Sequence, residues 1–114
     1  MAVPLWTDPK TGLEWSATAP KRMPWIKAHA WCESLGNGWH LPTKNELLSI
    51  VARDRFDPAV VDPLLESTVS GYYWSSTTYE SYPDDAWYVD FYGGGVDADG
   101  KTVGYYVRAV RGIR

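Results

Sequence analysis

The sequence has one cysteine, Cys32, so it cannot form an intrachain disulfide. Its two histidines, His29 and His40, show no metal-ligand spacing. No apolar run approaches the length of a membrane span, which excludes an inserted helix. The opening MAVPLWTDPK lacks the charged and apolar regions of a secretory signal. Positive charge is scarce as well: 11 Lys and Arg stand against 14 Asp and Glu, a net charge of −3. That balance, without a basic stripe, excludes a dedicated nucleic-acid binder. The missing signal and disulfide leave three settings open: the cytoplasm, a phage particle, or a domain cut from a surface protein.

What the chain does have is aromatic residues. Its 114 residues suit one domain, 1–114, with one core, and 45% hydrophobic with 22% charged residues is ordinary globular composition. Seven tryptophans are unusual in so short a chain, and all eight tyrosines fall between Tyr72 and Tyr106. Residues 72–114 read as strands joined by turns. In Ala86–Tyr92 the alternation is clean. Trp87, Val89 and Phe91 fall on one side, a core face. Tyr88, Asp90 and Tyr92 fall on the other. Tyrosine combines contact area with a polar tip at low entropic cost, so the second side reads as a binding face. The simpler reading is that Tyr and Trp suit strands.

The remaining elements follow from local signals. Leu5 to Trp15 reads as a hairpin around an Asp-Pro-Lys-Thr-Gly turn. Pro24 fits the first turn of a helix over about Trp25–Leu35, with Trp25, Ala28, Cys32 and Leu35 at helical spacing, stopped by Gly36-Asn37-Gly38. After an extended link, Trp39–Pro42, Thr43 and Glu46 form a capping box. It opens a second helix to about Asp54, with Leu47, Leu48, Ile50 and Val51 on its buried face. A helical turn is expected after Asp62-Pro63, strands over Tyr72–Tyr79, Ala86–Tyr92 and Tyr105–Val110, and a turn region across Gly93–Gly100. A hairpin, two helices and then an antiparallel meander indicate an α+β fold.

Spaced pieces of the chain resemble one family. They are Thr11-Gly12-Leu13-x-Trp15, Trp25-x-x-Ala28-x-x-x-Cys32-x-x-Leu35, Gly38-Trp39-His40-Leu41-Pro42-Thr43-x-x-Glu46-Leu47, Tyr73-Trp74-Ser75-Ser76-Thr77, Ala86-Trp87-x-Val89-x-Phe91 and Val107-Arg108-Ala109-Val110-Arg111. Together they look like the C-terminal domain of Lcl-type collagen-like adhesins, and the match covers almost the entire chain. The resemblance implies a C-type-lectin-like fold: two helices packed on antiparallel sheets, with the N- and C-termini close together. It implies a non-enzymatic recognition module of a bacterial or phage surface. The same fold serves the variable proteins of diversity-generating retroelements, in which a C-terminal segment is mutated on a fixed scaffold. Family members often pair the helix-one cysteine with one in the last strand, where this chain has Ala109. Position 40, usually arginine, is His40 here.

The ligand-binding set is therefore Tyr79, Glu80, Ser81, Tyr82, Asp84, Asp85, Tyr88, Asp90 and Tyr92. Trp74, Ser75, Trp87, Phe91, Arg108, Thr43 and Glu46 are assigned to the scaffold, with Arg108 on a carboxylate or loop carbonyls and Ser75-Ser76 bonded to a neighbouring loop. The expected ligand is a cell-surface carbohydrate or protein. No cofactor is expected. The triplets of calcium-dependent lectins are missing, and Asp97-x-Asp99-Gly100 lacks the later glutamate of a calcium loop, so it reads as a turn. Arg108, Arg111 and Arg114 form a small basic cluster beside an acidic 80–85 loop. Cys32 lies at an apolar helix position and reads as a buried structural thiol. The alternative function is a structural knob, a homo-oligomer at the tip of a fibre or adhesin. An enzyme related to the formylglycine-generating branch ranks last, because the paired cysteines are missing.

Overall fold

Two short strands near the start of the chain find their partner near its end. A computed structural model describes residues 4–112. β1 (Trp6–Thr7) and β2 (Leu13–Thr18) form the expected hairpin, and β6 (Arg108–Gly112) pairs antiparallel with β2. The hairpin turn closes because the Asp8 carboxylate accepts the Lys10 N–H at 2.9 Å and Gly12 adopts φ +76°, a conformation that costs glycine nothing. The register sets Trp15 opposite Val110, and both are fully buried.

α1 (Trp25–Ser34) begins one residue after Pro24, which stands at the cap position rather than inside the first turn. Its completely buried residues are Ala28 and Cys32. Gly36, Asn37 and Gly38 all have positive φ and stop the helix as expected. α2 (Lys44–Leu48) has both halves of the capping box: Thr43 Oγ1 accepts the Glu46 N–H at 3.1 Å, and Glu46 accepts the Thr43 N–H at 2.8 Å. It ends well before Asp54. Backbone that a longer helix would use is taken by another segment, since Val51 bridges Val60 and the Ala52 N–H donates to Ala59. Leu47 and Ile50 are buried all the same, with Leu48 and Val51 packed beside them. The turn after Asp62 is a 3-10 helix, Asp62–Ser67.

The second sheet has the order β3 (Tyr72–Thr78), β4 (Asp85–Asp90) and β5 (Val96–Gly100), all antiparallel. Two expectations change here. Residues 96–100 form a strand, not a turn. The turn is confined to the residues before it, where Gly94 takes φ +90° and a Cβ would meet Val51 and Arg53 atoms at 2.9 Å. Pairing with β4 then outweighs the weak strand preference of Asp and Gly. The last strand also begins at Arg108 rather than Tyr105 and leaves the meander to join β2, while Tyr105 and Tyr106 make isolated bridges to Met23 and Tyr73. The result is an α+β fold of two three-stranded antiparallel sheets and two short helices. The first and last described strands share one sheet.

The central strands separate two hydrophobic clusters. Tyr73, Val89 and Phe91 join Trp15, Leu47, Ile50, Val60, Leu64 and Val110. Trp74 and Ala86 join Trp39, Leu41, Ala28, Cys32, Val107 and Ala109. Because neighbouring residues of a strand face opposite ways, β3 and β4 are covered on both faces. Ala109, the position that the family resemblance pairs with a cysteine, lies in the same cluster as Cys32. Burial pushes the Cys32 thiol up to about 12, with Glu33 adding to the shift, so the thiol is inert at neutral pH.

One buried cation ties the two sheets together. Arg108 is 1% exposed. Its guanidinium donates to the Ser67 carbonyl at 2.9 Å, the Ser67 hydroxyl at 2.5 Å and the Thr68 hydroxyl at 2.9 Å, so its partners are loop carbonyl and hydroxyls and not a carboxylate. Thr18 of β2 donates to the same Ser67 carbonyl, and the Tyr73 hydroxyl both donates to and accepts from the Val69 backbone. Burial lowers the Arg108 pKa to about 10, partly offset by Tyr73, which leaves it charged at neutral pH. Arg108→Ala strands these acceptors, and urea unfolding is expected to show a loss of about 3 kcal/mol, with Ser67→Ala costing about 1 kcal/mol. A loss below about 0.5 kcal/mol for Arg108→Ala would show that this tie does not hold the sheets.

Candidate functional site

The nine residues expected to bind ligand do not form one patch. Asp85 opens β4, and the loop between β3 and β4 carries Tyr79, Glu80, Ser81, Tyr82 and Asp84. It is closed by its own backbone: Tyr79 N–H to Asp85 at 2.9 Å, Tyr82 N–H to Tyr79 at 3.1 Å and Asp85 N–H to Tyr82 at 2.8 Å. The Tyr79 and Tyr82 rings stack with centroids 6.0 Å apart. Tyr82 is 66% exposed.

Beside this loop lies an open groove of about 370 Å³, lined by Lys44, Thr77, Thr78, Tyr79, Glu80, Ser81 and Trp87. Trp87 was expected in the core. It is half-buried instead, with Tyr79 edge-on to its ring at 5.0 Å and the Lys44 ammonium 4.3 Å from its centroid. Alternation along β4 is intact, since Asp85 to Val89 pair one for one with β5, but the side that carries Trp87 is left partly open at the loop end, next to a register irregularity in β3 between Trp74 and Thr78. Ser75 is buried, and its hydroxyl donates to the Trp87 carbonyl at 2.7 Å. Its partner is thus the neighbouring strand rather than a loop.

Tyr88 and Asp90 belong to a second groove of about 230 Å³, with Tyr72, Gly95, Val96 and Asp97. Tyr88 is not the free ring that alternation suggested. It is half-buried, stacked on Tyr72 at 4.4 Å and tilted against Tyr105 at 5.1 Å, because Tyr105 crosses that face of β4. Burial, then Tyr72, then Asp97, Asp99 and Asp90 push the Tyr88 phenol up to about 12. The Tyr105 phenol is raised too, first by burial and then by its hydrogen bond to Asp99. Tyr92 lies past the end of β4. It is 53% exposed and meets Phe56 edge-on at 6.1 Å. Phe91 is buried as expected.

Sequence reasoning passed over Tyr72, Asp97 and Lys44. Tyr72 is found only once Tyr72 and Asp90 are known to be opposite one another, and Asp97 was assigned to a turn. Lys44 sits in the first turn of α2, remote in sequence from the groove it lines. Of the basic cluster, Arg111 is engaged elsewhere. It pairs with Glu14 at 2.7 Å, donates to Asn37 and lies 4.8 Å from the centre of the Trp39 ring. Arg114 lies outside the described residues.

The family model of the Lcl C-terminal domain matches residues 5–111. No curated protein matches the chain.

Lys101 holds the acidic loop to the sheet. Its ammonium donates to the Pro83 carbonyl at 2.8 Å and to Thr78 Oγ1 at 3.1 Å, and lies 4.1 Å from the centre of the Trp25 ring; its N–H donates to the Asp84 carbonyl. Lys101→Met keeps the stem but removes these side-chain bonds. Hydrogen exchange is expected to accelerate at the amides of residues 79–85 while that of residues 13–18 stays as it was. Unchanged exchange in the loop would show that its own backbone bonds suffice.

Proposed function

The chain belongs to the Lcl C-terminal domain family, an adhesin-related group, and from that premise we propose that it is a non-enzymatic ligand-binding module with a C-type-lectin-like fold. It recognises a carbohydrate or protein at a cell surface through the β3–β4–β5 face and the 79–85 loop. One observation carries this reading: fully buried Trp74, Ser75, Phe91, Val107 and Arg108 are interleaved in sequence with accessible Glu80, Ser81, Tyr82, Asp84 and Tyr92. A rigid interior thus presents rings and carboxylates whose identity packing does not dictate. Such a surface tolerates change without loss of fold, which is also what a retroelement-diversified variable protein requires. A near-identical template repeat beside the gene would support that narrower role, and its absence would remove it.

The loop side suits a sugar. An aromatic wall, Tyr79 and Trp87, stands beside the hydroxyls of Thr77, Thr78 and Ser81 and the carboxylate of Glu80, which is the mixture that grips a polyhydroxylated ring. A second reading, assembly with copies of itself, is favoured by the exposed aromatic pair Phe56 and Tyr92, of which Phe56 is 70% exposed.

A glycan array probed with the purified domain, with and without calcium, tests the first reading. Tyr82→Ala and Tyr92→Ala truncate exposed rings and are expected to move the melting temperature by no more than about 3 °C. Tyr82→Ala is expected to abolish capture and Tyr92→Ala to leave it intact. Capture that survives Tyr82→Ala unchanged would remove the loop from the binding surface. A solution mass corresponding to a trimer, lost on Phe56→Ser, would shift the function to assembly.

A further inference from the structure

The groove at the far end of the β3–β4–β5 sheet has a chemistry unlike that of the loop. In the sheet register, Tyr72 stands directly opposite Asp90, and Tyr88 directly opposite Asp97. Tyr88 and Asp90 are two apart on one strand, so all four side chains belong to one face. The face carries two rings and two carboxylates in alternation. The rings are stacked, 4.4 Å between centroids and 23° between planes, and Tyr105 meets Tyr72 edge-on at 5.3 Å. Tyr105 is itself anchored by donating its hydroxyl to Asp99.

The carboxylates are fixed but not neutralised. Asp90 Oδ1 accepts the Tyr92 N–H and Asp97 Oδ1 accepts the Ala98 N–H, each at 2.8 Å. Their second oxygens accept no hydrogen bond among the described residues, and neither residue joins an ion pair there, whereas Glu14 and Asp62 do. Nor do these carboxylates converge as a metal site: among the described residues no group of three or more His, Cys, Asp or Glu does so. The groove thus combines aromatic surface with two oriented, spare anionic acceptors. Its complement is a flat organic cation.

We propose that the Tyr72–Tyr88–Asp90–Asp97 groove seats an arginine side chain of a protein partner. The inference rests on the reading of the domain as a ligand-binding module and names the chemistry of one of its contacts. A guanidinium is planar, stacks on tyrosine and offers paired N–H donors to carboxylate oxygens, so one group meets both features of the face. A sugar uses the rings equally well but has no charge to answer two unpaired carboxylates. An anionic glycan is repelled by them.

The test is an NMR titration of the intact domain with arginine amide, with citrulline amide as the uncharged isostere and methyl glucoside as the sugar control. Arginine amide is expected to shift the amides of Tyr72, Tyr88, Asp90 and Asp97 with millimolar affinity that weakens as salt is raised, and citrulline amide to leave them in place. Asp90→Asn and Asp97→Asn keep the oxygen that receives the backbone N–H, so both are expected to fold. Together they are expected to weaken arginine binding by about tenfold or more. Silence with arginine amide, equal shifts with citrulline amide, or shifts with methyl glucoside alone would each overturn the proposal. A glycan-array capture that is lost with Tyr82→Ala, together with no amide shift on adding arginine amide, leaves the binding module standing and sinks only the arginine seat.

Discussion

The structure depends on a buried cation that meets no carboxylate among the described residues. Arg108 sits at the start of the last strand, and its guanidinium is held by the Ser67 carbonyl and the Ser67 and Thr68 hydroxyls. A buried charge is costly unless its donors are satisfied, so the segment at 67–69 must adopt one conformation to meet the two Nη groups, while Nε finds no partner among the described residues. That conformation also receives Thr18 from β2 and Tyr73 from β3. One short stretch of backbone thereby registers both sheets, the N-terminal hairpin with the C-terminal strand on one side and the aromatic meander on the other. Nothing local in the sequence specifies this meeting; the partners are separated by about 50 residues on one side and 40 on the other.

Once the sheets are fixed, the position of a binding surface is constrained. β3 and β4 pack Tyr73 and Val89 into one cluster and Trp74 and Ala86 into the other. Neither face of the strand pair is free along its length. What remains accessible is at its ends: the 79–85 loop with Trp87 and Lys44 at one, and the Tyr72–Asp90–Asp97 corner at the other. Tyr88 illustrates the rule, because its ring belongs to the accessible groove and yet packs beneath Tyr105. The Tyr88 ring is tied to the packing of the sheet, whereas Tyr82 projects into solvent.

Much of this was legible in the sequence wherever the cause was local. The capping box at Thr43 and Glu46, the glycine stop after α1, the turn within the first hairpin and the 3-10 turn at Pro63 all follow from residues within a few positions of one another. The α+β class followed from the order of these elements. The failures have a common origin in partners distant along the chain. α2 stops early because Val51 is drawn to Val60. Residues 96–100 are a strand because β4 supplies the ladder that Asp and Gly do not favour by themselves. Trp87 and Tyr88 are both half-buried, Trp87 because only Tyr79 and Lys44 cover its side of β4 at the loop end and Tyr88 because of a ring brought from residue 105. Alternation tells which residues share a side of a strand; it is silent on whether that side is covered.

The two ends of the strand pair also differ in how they could tolerate change. At the loop end, the backbone bonds itself into a closed turn that Lys101 ties to the sheet, so the exposed side chains there are free of structural duty, while Tyr79 packs against Trp87. At the corner, the arrangement is written into the register: Tyr72 with Asp90, Tyr88 with Asp97. A slip of one residue in β5 would turn Asp97 to the opposite face and place Ala98 or Val96 beside Tyr88, erasing the charge pattern at a stroke. Gly94 guards against that slip, since its φ of +90° and the absence of a Cβ let the turn pass within contact of Val51 and Arg53, and the Arg53 guanidinium donates to the Gly94 carbonyl at 2.8 Å. The corner is therefore the conservative part of the surface, set by backbone geometry, while the loop is the part whose side chains can vary. Under the proposed arginine seat, the charged corner is the fixed contact and the loop is where selectivity changes.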